Sequence, residues 1–484
     1  MEGIQMEVRD RNVIYGPVVL PEMSRGLVPV NLTGVTWKER LHKVLSRMEK
    51  EGLDALAVYA DREHGGNFAY LTGFEPRFEE AVLVLGRDGR ASLMLGNENM
   101  KMCSYSMLKA EAVHVPYFSL PNQPMEHEKD MAGLFRKAGI RPGMTVGVAG
   151  WKMFTSRLDD NSQLFDVPCF IMEGIRRAAG DGDQGEDCNL TNAAHLLIHP
   201  GHGARTRVNA NEIAHYEFGA ALASDCVYEA MNHIAPGMTE MEVAGRMCNY
   251  GQPVSVTTIC ASGQRFDGAV VFPRNKKIQT GDKFSLTMGL RGGLSSRAAY
   301  VAAGAQDLEA NVRDYVEVLA KPYYRAAVSW YEQVGIGVSG GELYRLIETV
   351  LPKQRFSWTL NPGHLTSDEE WMSSPIYPGS EIRLESGMML QMDIIPGIPG
   401  YGGAGAEDGI VIADGDLREE IRRAYPDTWN RFERRRTYME TELGIRLKPE
   451  ILPMSDLTGY MRPYLLNRTC AFKIVNTERI ADET

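Results

Sequence analysis

The residues with the clearest chemical potential in this chain are one histidine and several acids in its C-terminal half. His364 stands in LNPGHLTSDEEW, Asp393 in ESGMMLQMDIIPGI and Glu407 in GAGAEDGIVI. A carboxylate raises the pKa of a neighbouring imidazole and fixes its tautomer, so such a group can act as a base near neutral pH. Two carboxylates in an apolar pocket also repel each other, and one of them can stay protonated as an acid.

A second stretch, GDKFSLTMGLRGGLSSRAAYV, is notable because it lacks acids. Its alternation of polar and apolar residues around glycines predicts a β-hairpin. No carboxylate lies between Asp282 and Asp307. The hairpin does carry Arg297, and a guanidinium group can clamp a substrate carboxylate. Strand alternation places Arg297 on the opposite face from Ala298, which favours a surface-facing arginine over the alternative of a substrate contact.

The elements that must position these side chains begin with alternating helices and strands, which predict an α/β domain. In this first half we expect a helix at 37–51, a strand at 53–60, a hairpin at 81–95, a helix at 127–139 and a strand at 144–150.

The second half opens with helix signals. Asn209 or Asn211 can cap a helix that runs to His233, and Thr239 with Glu242 is a capping-box pattern. After these we expect strands at 254–260, 269–272, 283–287, 294–303, 388–394 and 409–412, and helices at 308–333 and 340–351.

Length and composition bound the class of protein. The 484 residues suggest two or three domains, and the net charge of −11 argues against a nucleic-acid or anionic-membrane surface. No apolar run reaches the roughly 18–20 residues that a membrane helix needs. The seven cysteines are scattered without CxxC spacing. This pattern favours a cytoplasmic protein with free thiols. The charge and the missing apolar run predict no nucleic-acid or membrane partner. The partner that we expect is a small-molecule substrate.

One long phrase, NEIAHYEFGAALASDCVYEAMNHIAPGMTEMEVAGRM, resembles the opening of the catalytic domain in the pita-bread fold family. That family includes methionine aminopeptidase, aminopeptidase P, prolidase and creatinase. Further blocks follow in the family's order: TICASGQRFDGAVVFPRNKKIQTGDKFSLTMG, then the three segments that carry His364, Asp393 and Glu407.

The resemblance implies an α/β (α+β) protein, with a creatinase-like N-terminal α/β domain and a C-terminal pita-bread domain. We expect an N-terminal arm at 1–36, the N-terminal domain at 37–204, the pita-bread domain at 205–430 and a tail at 431–484. Resemblance to the creatinase branch also implies a homodimer.

In metal-dependent members of the family, two hairpin aspartates, one histidine and two glutamates hold two metals. By position the histidine is His364, and the two glutamates become Asp393 and Glu407. The hairpin aspartates fall on Thr287 and Ala298, and neither offers the anionic oxygen that a divalent ion prefers. The resemblance therefore argues against a two-metal site. We expect no cofactor, and a single divalent metal at His364, Asp393 and Glu407 stays open.

Creatinase works without metal, and the loop SGQRFDGAVVFPRNKKIQTGD has the same length as its counterpart there. Asp267 in this loop matches and is a candidate substrate contact. However, the base histidine of creatinase falls on Val270, and its hairpin glutamate falls on Ala299. A second histidine of the peptidases falls on Trp371, which would make the pocket flatter and more apolar. The chain thus matches neither active-site set.

Two shorter segments add candidates for substrate binding. LTGFEPRFEEAVLVL resembles a creatinase loop that reaches into the partner subunit's site, and Arg77 and Phe78 are its local candidates. A charged loop before a strand is the alternative. DEEW is either a solvated acidic turn or a pocket wall that carries Trp371.

The first functional hypothesis is a metal-independent hydrolase of a small C–N substrate, amide-like or guanidino-like, with His364, Asp393 and Glu407 as catalytic residues. One alternative is a mononuclear metal-dependent Xaa-Pro peptidase of the prolidase or aminopeptidase P kind. Others are a lyase and a ligand-binding pseudoenzyme. His364 can also simply satisfy buried hydrogen bonds.

Overall fold

The computed structural model describes residues 11–123, 125, 129–180, 188–267 and 271–476. The chain divides into two compact units: Leu32–Thr206, and Met1–Asn31 together with Arg207–Thr484. None of the described helices is both long and apolar enough to cross a membrane.

The described α-helices and strands are numbered here in chain order. The helices are α1 (Gly34–Lys50), α2 (Gly66–Thr72), α3 (Met131–Ala138), α4 (Cys169–Ala179), α5 (His195–Ile198), α6 (Ala210–His233), α7 (Glu240–Ala244), α8 (Lys321–Gln333), α9 (Gly340–Val350), α10 (Lys353–Phe356), α11 (Gly415–Ala424) and α12 (Pro426–Thr441). The strands are β1 (Arg11–Pro17), β2 (Ala55–Ala60), β3 (Ala81–Gly86), β4 (Ala91–Leu95), β5 (Glu111–His114), β6 (Thr145–Ala149), β7 (Asn189–Asn192), β8 (Val254–Ser262), β9 (Lys283–Leu290), β10 (Gly293–Tyr300), β11 (His364–Leu365), β12 (Met389–Met392), β13 (Gly405–Ile412), β14 (Ile451–Pro453) and β15 (Cys470–Asn476).

The unit Leu32–Thr206 is a mixed six-stranded sheet in the order β5-β4-β3-β2-β6-β7. Strand β2 pairs antiparallel with β3 and parallel with β6. Phe135 of α3 and Ile171 of α4 belong to the same buried cluster as Val84 and Val148 of the sheet. Burial of these apolar faces accounts for the α/β alternation seen in the sequence.

The predicted elements of this unit are present, and local capping decides where they begin. The helix expected at 37–51 begins at Gly34, because the Thr33 side chain accepts the backbone N–H of Thr36. The helix expected from 127 begins at Met131, because Asp130 caps it through the N–H of Gly133. Part of that expected span, 126–128, lies outside the described residues.

The other unit is built on the sheet β11-β12-β13-β10-β9-β8, and β14 pairs with β13. In the same unit, β15 pairs with β1 from the N-terminal arm. Helix α6 begins with a capping box of Asn209 and Glu212, and the predicted box of Thr239 and Glu242 opens α7. The pita-bread prediction for this half is therefore matched by long helices laid on one antiparallel sheet.

Close packing of α6 on the β9–β10 hairpin depends on two glycines. A Cβ at Gly219 of α6 would lie 1.9 Å from the carbonyl oxygen of Arg291, and a Cβ at Gly292 would lie 2.1 Å from that of Tyr216. Gly292 also has a φ of +100°, which favours glycine. These glycines let the hairpin approach the helix backbone and so fix the wall that carries Thr287 and Ser296.

Two expectations for this unit are wrong in part. The helix expected at 308–333 is α-helical only from Lys321 and is preceded by a π-helical turn, Val316–Ala320. Pro322 has no N–H to donate to the preceding turn, so a regular α-helix cannot run through it. The strand expected at 269–272 lies partly outside the described residues, and its described part, 271–272, is not a strand.

Candidate active site

A cavity of about 790 Å³ lies against the faces of β9, β10 and β13. Strand alternation sends Ser285 and Thr287 of β9, and Ser296 and Ala298 of β10, to this face. Apolar side chains cover much of the remaining wall: Val256, Ile259, Phe266, Leu294, Leu360, Trp371, Ile394, Ile395 and Ile398. The cavity is of the size and character that small-molecule sites have.

Three acids, Glu370, Asp393 and Glu407, line this cavity together. Glu407 is on β13, and Asp393 directly follows β12, which pairs with β13. One ligand atom each of His364, Glu370 and Glu407 lie within 4.8 Å of one another. The structure therefore brings together the three predicted residues His364, Asp393 and Glu407, and adds Glu370.

His364 is fully buried behind this group. Its ring stacks on Trp371 with centroids 4.1 Å apart. Its Nε2 lies 2.9 Å from Glu370 Oε1 and 3.9 Å from Asp393 Oδ2. His364 is not itself a wall of the cavity, so in this arrangement it acts on a ligand through the groups that its Nε2 faces.

The contacts of His364 suit a particular proton arrangement. Nδ1 lies 3.3 Å from the carbonyl oxygen of Leu365, to which only an Nδ1–H can donate. With Nδ1 protonated, a second proton on Nε2 would be directed at the carboxylates of Glu370 and Asp393. Nε2 lies close to Glu370 without meeting hydrogen-bond geometry, and Asp393 Oδ1 has no hydrogen-bond partner among the described residues.

The acids share a low-dielectric environment and repel each other. Burial raises the pKa of Asp393 to about 6, an effect that His364 opposes and Glu370 reinforces. Burial, with Asp393 and Glu370, holds the pKa of Glu407 well above its usual range. Burial lowers the pKa of His364, but the charges of Glu370 and Asp393 outweigh this and raise it overall. Such shifts are typical of functional sites.

The hairpin supplies hydroxyl groups where acids would be expected. Ser296 pairs in register with Thr287 on one side and with Glu407 on the other. Thr287 Oγ1 and Ser296 Oγ are 2.7 Å apart. Thr287 and Ala298, the two positions at which the sequence resemblance lacks its aspartates, both line the cavity.

The comparison with protein families agrees with this geometry. A family model described as metallopeptidase family M24 matches residues 214–414. These residues form an M24 domain. The resemblance to the pita-bread peptidases and the two-part α/β fold are both confirmed.

Several solved structures are similar over most of the chain. They include an Xaa-Pro dipeptidase from Bacillus anthracis (18% identity, TM-score 0.57, 78% of this chain and 96% of that one). A prolidase from Thermococcus sibiricus is 20% identical, with a TM-score of 0.60 and coverage of 78% and 95%. An X-Pro aminopeptidase from Thermotoga maritima is 16% identical, with a TM-score of 0.57 and coverage of 77% and 95%. These likenesses show the fold. No curated protein matches the chain.

Members of the M24 family usually use divalent metals, so the donors of this M24 domain have to be tested against them. A two-metal site does not fit, because Thr287 and Ala298 give no anionic oxygen at the hairpin. One cation does fit, because Nε2 of His364 and carboxylate oxygens of Glu370 and Glu407 converge within 4.8 Å, and Asp393 Oδ1 beside them has no hydrogen-bond partner among the described residues. Imidazole with two carboxylates suits manganese, iron or zinc.

Arg297 lies on the other side of the M24 sheet from the cavity. Its side chain is 3% exposed, and its Nη2 is 2.6 Å from Asp408 Oδ2. It also donates to the carbonyl oxygens of Leu457, Tyr460 and Glu407. The structure therefore does not bring Arg297 to the site, and the alternative of a surface residue is wrong, because the guanidinium group is buried and paired.

The remaining candidates are placed as follows. Arg77 belongs to the other compact unit and pairs with Glu75 at 2.9 Å, while Phe78 beside it is 75% exposed. The side chain of Asp267 and the whole of Val270 lie outside the described part of the chain. Substrate contacts by Arg77, Phe78 and Asp267 stay predictions. Trp371 lines the cavity as the pocket-wall interpretation expected.

Glu370 is the site residue that sequence reasoning missed. The interpretation of DEEW as a solvated turn does not hold, because Asp368 is buried and accepts from Tyr216, and the Glu370 side chain is only 18% exposed. The signal was present in the sequence. Three consecutive acids followed by a tryptophan, a few residues after His364, mark a turn with an apolar end that cannot be wholly solvated.

Proposed function

We propose that the chain is a hydrolase of small peptide-like amides, with Xaa-Pro dipeptides as the first substrates to try, and that it uses one divalent cation. The observation that carries this proposal is that ligand atoms of His364, Glu370 and Glu407 lie within 4.8 Å of one another, with the two glutamates on the cavity wall and His364 buried behind them. The names of the similar structures, an Xaa-Pro dipeptidase and a prolidase, support the substrate class.

When bound, a divalent cation at this site would polarise the amide carbonyl or activate a water molecule. The side chains of the chain itself supply the rest. Asp393, next to the cluster, can take a proton from water and give it to the leaving amine, because its raised pKa is close to neutral. Trp371 excludes water from one side, and Thr287 and Ser296 offer hydrogen bonds without adding charge.

A metal-independent hydrolase of an amide or guanidino substrate is the second candidate. It is favoured by the hairpin, which carries hydroxyl and methyl groups at both positions where two-metal enzymes carry aspartates. In this case Asp393 and Glu407 would act as an acid/base pair. His364 would be paired with Glu370 and would influence which of the acids carries a proton.

Metal content separates the two candidates. Untagged, gently purified protein is assayed by mass spectrometry before and after incubation with Mn and Zn. The proposal expects close to one equivalent in the wild type, its loss in Glu370→Gln and its retention in the neighbouring control Glu369→Gln. The same preparations are then tested on Xaa-Pro dipeptides with and without a chelator.

Other outcomes have definite meanings. Absence of metal together with chelator-resistant turnover of creatine-like amides would support the second candidate. Tight ligand binding without turnover across amides, peptides and guanidines would point to the pseudoenzyme alternative, and elimination products would point to a lyase.

The proposal includes a cytoplasmic homodimer in which the loop carrying Arg77 and Phe78 contacts substrate. Light scattering gives the mass in solution. An increase in KM for Arg77→Ala, without loss of metal, is the result expected if the loop binds substrate.

A further inference from the structure

Tyr323 is a buried residue of the cavity wall that the proposed function does not yet use. It belongs to α8, its side chain has no exposed surface, and it lines the same cavity as Asp393 and Glu407. Its hydroxyl oxygen accepts the backbone N–H of Ala406 at 2.8 Å. Ala406 directly precedes Glu407, so this hydroxyl is fixed beside the acid group.

The hydroxyl hydrogen of Tyr323 has no acceptor among the described residues. A phenol has one O–H to donate, and accepting from Ala406 does not use it. No described residue accepts this hydrogen. The ring is packed in the core on α8 and the Ala406 N–H is fixed in β13, so rotation about the C–O bond is the main freedom left to the hydroxyl. The unused hydrogen can therefore be presented to a ligand in the cavity.

The other hydroxyl groups near the acids are less available. Thr287 Oγ1 and Ser296 Oγ are 2.7 Å apart, so one hydroxyl donates to the other and the pair has only one hydrogen left to offer to a ligand. The hairpin also lacks the two acids that would hold a second cation. A substrate carbonyl that gains negative charge in this cavity thus has one cation fewer to interact with than in a two-metal site, and a fixed neutral donor becomes correspondingly more useful.

We propose that the Tyr323 O–H donates a hydrogen bond to the carbonyl oxygen of the scissile amide and stabilises the oxyanion that forms there. This rests on the proposed function. Water oxygen adds to the carbonyl carbon while its proton moves to Asp393, the C–N bond then breaks, and that proton passes to the leaving amine. Tyr323 keeps its own proton throughout. It is a catalytic residue because it touches the reacting carbonyl group.

Kinetics of Tyr323→Phe test the role in turnover. The matched control is Tyr331→Phe, the same change on the same helix at an equally buried hydroxyl that has no hydrogen-bond partner among the described residues. Loss of one oxyanion donor lowers kcat about 10²–10³-fold, with KM changed by less than about threefold. The control keeps kcat within about twofold, since it removes no bond made in the transition state.

A structural role for Tyr323 gives a different pattern. If Tyr323 only positions β13, Tyr323→Phe loses bound metal or raises KM with kcat unchanged, and either result overturns the proposal. An equal loss of kcat in Tyr331→Phe would overturn it as well.

An infrared measurement tests the hydrogen bond without turnover. Glycyl-proline labelled with ¹³C at the glycyl carbonyl is bound to Glu407→Gln, and to the double variant that also carries Tyr323→Phe. The expected carbonyl band is at lower frequency in Glu407→Gln and returns toward that of free peptide in the double variant. Identical bands in the two proteins, or a band of free peptide in both, overturn the proposal. If the wild type hydrolyses no peptide, the proposed function fails on that observation, while the infrared comparison still decides the role of Tyr323.

Discussion

Glu407 and Asp408 are neighbours on β13, but their side chains lie on opposite faces of the sheet and have opposite surroundings. Asp408 is fully buried and paired with Arg297, and its Oδ1 accepts hydrogen bonds from Ser295 and Ser455 at 2.9 and 2.7 Å. Glu407 faces the cavity, where its charged neighbours Asp393 and Glu370 repel it.

The difference shows that one face of β13 contributes to the stability of the fold, while the other face carries the groups of the candidate active site. On the rear face Arg297 and Asp408 balance each other's charge, which is how folded proteins carry buried ions. On the cavity face Glu370, Asp393 and Glu407 lie close enough to repel one another, and Asp393 Oδ1 has no hydrogen-bond partner among the described residues. Acids that repel each other in this way lower the stability of the fold, and such groups are typical of sites that bind a cation or move a proton.

The largest expected effect comes from breaking the rear pair. Arg297→Leu leaves Asp408 buried without its cation and should lower the free energy of unfolding by about 3–5 kcal/mol. Urea denaturation measures it. The control Arg422→Leu breaks the exposed pair with Glu419 and should cost under about 1 kcal/mol. Equal losses in the two variants would contradict the assignment of Arg297 to the rear face.

On the cavity face, Glu407→Gln should lower activity and should not lower stability. We expect kcat/KM for Xaa-Pro dipeptides to fall about 10²–10³-fold, because a charged ligand or acid is lost, while the free energy of unfolding stays constant or rises as repulsion is relieved. The exposed control Glu348→Gln should change neither quantity. A large loss of stability in Glu407→Gln would mean that this face is balanced like the other.

The pH dependence of stability offers a third comparison, made on protein treated with a chelator. Asp393 has its pKa raised from 3.8 to about 6 in the folded chain. Between these pH values the folded chain binds more protons than the unfolded chain, so stability falls as pH rises from about 4 to about 6. Asp393→Asn should remove a fall on the order of 2 kcal/mol, and exposed Asp427→Asn should keep it. A fall of unchanged size in Asp393→Asn would show that another group causes it.

The smallest expected effect is a difference in unfolding free energy between alanine variants of two adjacent serines. Ser295→Ala removes a donor to the charged Asp408 and should cost about 1.5–3 kcal/mol of unfolding free energy. Ser296→Ala removes only a hydroxyl contact with Thr287 and should cost about 0.5–1.5 kcal/mol. Thermal unfolding of the two variants gives the ranking, and a reversed order would refute the distinction between the faces.

Much of the site was predictable because it depends on segment order. The blocks that carry His364, Asp393 and Glu407 occur in the order of the pita-bread family, and strand pairing then brings them side by side. The absence of acids at Thr287 and Ala298 was also visible in the sequence, because alternation along a hairpin fixes which positions share a face.

The parts that escaped prediction depend on contacts between distant segments. Glu370 turns inward because Trp371 stacks on His364; the pattern DEEW indicates only that its tryptophan end is not fully solvated, and not which acid faces the histidine. The partner of Arg297 is Asp408, 111 residues later, and only the register of β10 against β13 brings them together. Tyr323 looks like an ordinary core residue of a helix until Ala406 is seen to donate to it.

The Arg297–Asp408 pair has a consequence for folding as well. A slip of β13 by one residue against β10 would send Asp408 into the cavity and turn Glu407 toward the buried guanidinium group. The shifted sheet would then lose the serine donors of Asp408 and the pairing of Asp408 with Arg297. The pair therefore helps to specify the register of β13 against β10, because only the native register buries the arginine and the aspartate as a pair.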